Sequence, residues 1–141
     1  MDAKNPEPQT KRKKPSAIKR FFNSRRNSFK YAGRGIGYAI RTQKNAWIHS
    51  VMTVVVLLVS LWLGLSRIEW VAILLVIGMV WMAEFLNTSL ESVVDMTSPE
   101  RHPLAQVGKD VAAGAVLFAA IISVIVGILI LGPYLLTKLG W

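Results

Sequence analysis

The sequence predicts an all-α membrane protein: three transmembrane helices preceded by an N-terminal amphipathic helix lying in the membrane interface. Two observations carry this. Ala46 to Ser66 and Val111 to Thr137 contain no Lys, Arg, Asp or Glu, and each reaches the roughly 20 apolar residues needed to cross a bilayer. Leu, Val and Ile also run round every face of these blocks, without the polar stripe that a soluble bundle helix keeps at the 3.6-residue period. A third block is uncharged from Trp70 to Ala83 and continues as an apolar pattern past Glu84 to Val94. The spans are therefore placed at about 46–65, 68–94 and 111–136. At 141 residues the chain is one domain at most. A cleaved leader is not expected, because its apolar region would be shorter and nearer Met1.

The elements follow in order. Met1 to about Ala17 is polar, basic and carries Pro6, Pro8 and Pro15, so the segment 1–27 is read as a basic, largely disordered tail. Residues 28–136 form the three-span domain and 137–141 a short external tail. From Ser16 to Lys44, Ile18, Phe21, Phe22, Phe29, Tyr31, Ile36, Tyr38 and Ile40 alternate with Lys and Arg, the pattern of a helix lying in the interface. Gly33, Gly35 and Gly37 weaken that helix, and a kink or break is expected there. They do not form a phosphate loop, since no strand precedes them and no Gly-Lys-Ser/Thr follows. The first connection, around Ser66-Arg67-Ile68-Glu69, is short enough to force an antiparallel hairpin. The second, about Met96 to Gly108, carries Ser98-Pro99 and His102-Pro103, and neither pair suits a helix interior. Trp47, Trp70 and Trp141 suit interfacial anchoring. Gly114, Gly127 and Gly132 permit close helix approach, which fits an oligomer.

Charge sets the orientation. Of the 17 Lys and Arg residues, 13 precede the first span, Arg101 and Lys109 lie between the second and third, and Arg67 and Lys138 lie at the opposite ends. The positive-inside rule then puts the N-terminus in the cytoplasm and the C-terminus outside. The run Lys11-Arg12-Lys13-Lys14 has no nucleic-acid recognition motif beside it. Next to a span it reads as attraction to anionic lipid headgroups, with no nucleic-acid partner. There is no cysteine, which excludes disulfides and thiolate chemistry.

Chemistry gathers at the end of the second span. Glu84, Asn87, Glu91 and Asp95 are spaced three, four and four residues apart, so they share one face of a helix. An Asp near the bilayer centre costs on the order of 3 kcal/mol, and a row of such groups needs a reason. One reading is polar glue between helices. The other is a site, and three carboxylates and an amide in register favour it. Carboxylates suit Mg²⁺, which takes one or two of them together with substrate phosphates, while another carboxylate can act as general base towards a hydroxyl. Lys109 and the loop Glu100-Arg101-His102 supply cations for phosphates nearby. His102 and His49, each taken alone, read as hydrogen-bonding residues rather than ligands.

The run from Glu84 to Asp95, with His102-Pro103-Leu104-Ala105 and the stretch from Lys109 to Leu117, resembles the signature of the prokaryotic diacylglycerol kinase family. The His-Pro form is more similar to Gram-positive-type members, several of which act on undecaprenol. The resemblance covers about Ser28 to Pro133. It implies a homotrimer in a bacterial inner membrane, transferring phosphate from ATP to a lipid hydroxyl with Mg²⁺. It also implies roles: Glu84 as the base, with Asn87 and Asp95 in support, and Glu91 as metal ligand. Glu100, His102, Lys109 and Asp110 would contact ATP, and Tyr31 would lie beside the adenine. The family's metal-binding glutamate before the first span corresponds to Gln43 here, in Thr42-Gln43-Lys44-Asn45. An amide oxygen ligates a hard cation without supplying charge. Two alternatives stay open: an oligomeric proton or cation pathway lined by the acidic row, and a catalytically weakened family member.

Overall fold

The computed structural model describes residues 17–98 and 102–140. They form four helices and no strand: α1 (Ala17–Thr42), α2 (Lys44–Leu63), α3 (Arg67–Thr97) and α4 (Pro103–Leu139). The last three are long and apolar enough to cross a membrane, as the sequence predicts. They expose large side chains such as Leu58, Leu61, Leu74, Leu75, Phe118 and Leu129, the surface a helix offers to lipid rather than to water. The chain divides into two units at Arg34 and Gly35, within α1.

In the first unit, helix starts at Ala17, inside the segment 1–27 expected to be largely disordered. Arg25 lies 5.1 Å above the Phe21 ring, which meets Phe22 edge-on. The helix runs unbroken through Gly33, Gly35 and Gly37, so the expected break does not occur. Each glycine costs about 1 kcal/mol relative to alanine, and 26 residues of cooperatively formed helix absorb that.

In the second unit α3 packs chiefly on α4, and α2 lies against both more sparingly. The α2–α3 connection is tighter than expected. Gly64 takes the left-handed φ of 74° that glycine adopts without strain, and its N–H donates to the Ser60 carbonyl at 3.2 Å. Ser66 then caps α3: its hydroxyl accepts from the Glu69 N–H, and its own N–H donates to Glu69 Oε2 at 2.8 Å. Arg67 to Glu69 are therefore first-turn helix, not loop. Tyr134 donates its hydroxyl to the same Glu69 oxygen at 2.8 Å. Lys138 donates to the Trp62 carbonyl and sits 4.8 Å over that indole. Leu63, Leu65 and Ile73, with Trp70, Ile77, Ile130 and Tyr134 around them, form the apolar cluster of this end.

At the other end α3 continues to Thr97 and α4 begins at Pro103. Proline at the first helical position loses no intrahelical hydrogen bond, and His102 caps it, with Nδ1 accepting from the Leu104 N–H at 3.2 Å. The turn expected over Met96–Gly108 is thus shorter, and Lys109 and Asp110 lie in the second turn of α4 rather than at its opening. Pro133 sits inside α4 without ending it. At 1.5 Å per residue, a hydrocarbon core of roughly 30 Å counted from Ile68 ends near Asn87. Glu84 then falls just inside that boundary, and Glu91 and Asp95 beyond it.

Candidate functional site

The four polar residues of α3 form a gradient along one face. Glu84 is 1% exposed and Asn87 5%, Glu91 is half-buried and Asp95 open to solvent. Glu91 is gripped at both oxygens. Asn87 Nδ2 donates to Oε1 at 3.2 Å from one turn earlier on α3, and Gln43 Nε2 donates to Oε2 at 2.9 Å. Gln43 reaches it because it is the N-cap residue of α2, with extended backbone and a side chain that makes no capping bond. Its own N–H is held by the Ala39 carbonyl at 2.9 Å. One turn further along α3, Asp95 pairs with Lys109 of α4 at 2.8 Å. A line of polar contacts therefore crosses from the α1–α2 junction through α3 to α4.

Not every expected site residue joins it. Asp110 accepts from Gln106 on its own helix, and His102 is engaged in capping α4. Neither touches the carboxylate row. Tyr31 belongs to the first unit, where it is exposed and Arg34 stands 6.0 Å from its ring centre. Glu100 lies outside the described residues.

The deep end of the row lacks partners. Both Glu84 carboxylate oxygens, Asn87 Oδ1 and His49 Nε2 are buried and make no hydrogen bond among the described residues. Burying polar atoms unpaired is costly, and such a cluster is what a site keeps ready for a polar group from outside. His49 stands on α2, edge-on to Trp81 at 6.5 Å between ring centres. Trp81 is itself fixed by donating to Thr53 Oγ1 at 3.1 Å and by packing on Phe85. The reading of His49 as an internally hydrogen-bonded residue is not met at Nε2. A signal for it was present: Asn45, His49 and Thr53 recur every four residues, a polar stripe on an otherwise apolar helix.

Among the described residues no three acidic or histidine side chains converge as a closed metal cage. The donors present are hard oxygens: the Glu91 carboxylate, the unpaired Asn87 Oδ1 and, after rotation of its amide, the Gln43 oxygen. That set fits Mg²⁺ arriving with a phosphate-bearing substrate, since Mg²⁺ keeps several non-protein ligands.

The chain is similar in sequence to known proteins. The family described as prokaryotic diacylglycerol kinase matches residues 30–131. A Bacillus subtilis protein named undecaprenol kinase is 44% identical over 118 residues, covering 84% of this chain and 93% of its own. A Synechocystis diacylglycerol kinase is 47% identical over 111 residues, 78% of this chain and 63% of the relative, so the chain spans under two thirds of that protein. An Escherichia coli diacylglycerol kinase is 30% identical over 99 residues, 65% of this chain and 81% of the relative.

Proposed function

We propose, for a chain that belongs to the prokaryotic diacylglycerol kinase family, transfer of the γ-phosphate of ATP to the hydroxyl of a membrane lipid, diacylglycerol or undecaprenol. It is a bacterial membrane lipid kinase. The observation that carries the reading is the graded row on α3. A buried, unpaired carboxylate stands on the hydrocarbon side, and a carboxylate gripped by two amides at the boundary. An exposed acid–lysine pair faces water. An acceptor from the bilayer and a nucleotide from solution meet on such a face.

The roles follow from depth. Glu84, nearest the lipid, takes the proton of the acceptor hydroxyl as its oxygen bonds to the γ-phosphorus and ADP departs. Asn87 steadies the Glu91 carboxylate by its amide N–H, one turn beyond Glu84. Glu91 and Gln43 would hold Mg²⁺, which supplies neutralisation of phosphate charge when bound. Lys109 meets the phosphates in place of Asp95, which steadies it meanwhile. Glu100, His102 and Asp110 lie towards the nucleotide and Tyr31 towards its adenine, as the family pattern suggests.

The basic flank orients the protein with its N-terminus in the cytoplasm, so ATP is drawn from inside. The N-terminal helix lies in the interface: at 100° per residue Ile18, Phe21, Phe22, Phe29, Ile36 and Ile40 share one face, and its Lys and Arg meet anionic headgroups. Gly114, Gly127 and Gly132 on α4 permit close helix approach, which supports a homotrimer. The test is transfer from labelled ATP by purified protein in lipid nanodiscs, with diacylglycerol, undecaprenol or neither. Mg²⁺-dependent label in one of the lipids is expected. Ion flux without nucleotide, and no labelled lipid, would overturn the reading.

A further inference from the structure

Four hydroxyls towards the Thr97 end of α3 turn back on their own helix. Thr88 donates to the Glu84 carbonyl, Ser89 to Leu86, Ser92 to Thr88 and Thr97 to Val93, each at 2.9 Å. None of the four ties α3 to another span, the use that hydroxyls in membrane helices often have. They differ in burial. Ser89, Ser92 and Thr97 are exposed, whereas Thr88 is 5% exposed. Its bond is therefore shielded from competing water and lies in surroundings that strengthen it. The Glu84 carbonyl thus serves two donors, the Thr88 hydroxyl beside the Thr88 N–H that the helix itself supplies. Back-bonding of this kind slightly loosens a turn and bends the helix there.

We propose that Thr88 is a positioning residue for phosphoryl transfer: its hydroxyl sets the turn of α3 that aims the Glu84 carboxylate. The inference rests on the kinase reading and deepens it by assigning a residue that acts through Glu84 without touching a substrate. Both Glu84 carboxylate oxygens make no hydrogen bond among the described residues. A carboxylate that nothing holds at its tip is aimed by its own backbone, and Thr88 bonds that backbone at the same residue. The turn also lies between Glu84 and Glu91, so it sets how the deep carboxylate stands relative to the one gripped by Asn87 and Gln43. A hydroxyl that merely satisfied itself in apolar surroundings would carry the opposite expectation. Valine, with the same shape and no polar atom, would then serve equally well and leave the turn tighter. Aim of the kind proposed matters because a misplacement of about 1 Å costs on the order of a hundredfold in rate.

The test is kinetic, in lipid nanodiscs with Mg²⁺ and with dioleoylglycerol or undecaprenol, whichever the wild type phosphorylates. Thr88→Val should lower kcat by about ten- to a hundredfold, with KM for ATP unaltered and the thermal unfolding midpoint no lower than that of the wild type. Thr88→Ser keeps the hydroxyl and should restore most of kcat. Thr88→Ala deletes the same bond without valine's bulk and should match Thr88→Val. Ser89→Ala removes an exposed bond of the same kind and should behave as wild type. Because Thr88 acts through Glu84, the double variant Thr88→Val/Glu84→Gln should be no slower than Glu84→Gln alone. A second readout needs no turnover: with ¹³C at the glutamate carbonyls, Thr88→Val should move an amide I component to higher wavenumber, as one carbonyl loses a donor, and Thr88→Ser should not. Wild-type kcat in Thr88→Val and Thr88→Ala overturns this inference and leaves the kinase reading standing. A double variant slower than Glu84→Gln by the full factor of Thr88→Val also overturns it, since Thr88 would then act elsewhere. A wild type that labels no lipid from ATP overturns the kinase reading and this assignment with it, and the infrared shift tells that failure apart by reporting on the turn alone.

Discussion

Replacing Gln43 by glutamate reverses the local electrostatics at one point. The Gln43 amide donates to Glu91 Oε2 at 2.9 Å, a hydrogen bond to a charged group of the kind worth about 1.5–3 kcal/mol. Gln43→Glu deletes that bond and sets two carboxylates against each other. At an effective dielectric of about 20, two unit charges some 4 Å apart repel by about 4 kcal/mol, and rotation of the side chains relieves part of this. Without a divalent cation, the variant should therefore lose about 2–3 kcal/mol of stability. With Mg²⁺ the sign inverts, because the added charge now attracts. Even 1.4 kcal/mol of that attraction lowers the Mg²⁺ needed for half-saturation tenfold. The assay is thermal unfolding in detergent across a Mg²⁺ titration, run beside the Mg²⁺ dependence of lipid phosphorylation. Glu91→Gln should abolish the Mg²⁺ response, and the double variant should depart strongly from additivity, since both residues act on one ion. A folded Gln43→Glu protein with wild-type stability in EDTA and an unchanged Mg²⁺ requirement would refute the reasoning.

Other expectations are simpler. Glu84→Gln should cut turnover by about 10²–10⁴, the usual contribution of a general base, with nucleotide binding retained in equilibrium dialysis; brisk residual turnover would remove Glu84 from that role. Ser66→Ala removes the N-cap of α3 and should cost about 1 kcal/mol in chemical unfolding, with the kinetic constants for ATP unaltered. Membrane-impermeant thiol reagents should modify Ser66→Cys only from outside and His102→Cys only from inside; the opposite pattern would turn the whole site to the wrong face of the membrane.

The spans were legible because membrane length and lack of charge leave few alternatives, and the site row because its spacing follows one helix face. The helix ends were harder. Ser66-x-x-Glu69 is itself a start signal for a helix, and Pro103 is another. Both stand in stretches whose charge and proline content suggest a loop, and capping chemistry overrides that. The continuity of α1 through three glycines reflects cooperativity over its whole length, which residue-by-residue propensity understates. The contact of Gln43 with Glu91 joins residues 48 apart in sequence, and no periodicity carries that. Only the resemblance pointed there. Lys109 and Asp110 are adjacent in the chain yet face different partners, Asp95 and Gln106. That separation comes from the 100° step of a helix, which becomes visible only once the helix is known to start at Pro103.

The ties at the Gly64 end give the bundle a pivot. Glu69 joins the capping box to Tyr134, and Lys138 reaches back to Trp62, so α2, α3 and α4 are fastened together where α2 turns into α3. From there to the carboxylate row is about 30 Å of helix, some 20 residues at the usual rise. Over such an arm a tilt of about 5° at the pivot carries the far end by about 2.6 Å, close to one hydrogen-bond length. The Gln43–Glu91 and Lys109–Asp95 contacts bridge separate helices at the far end of that arm. Loading and release of a nucleotide can then be accommodated by small rotations about a fixed corner, with no helix unwinding and no side chain leaving the apolar cluster around Ile73.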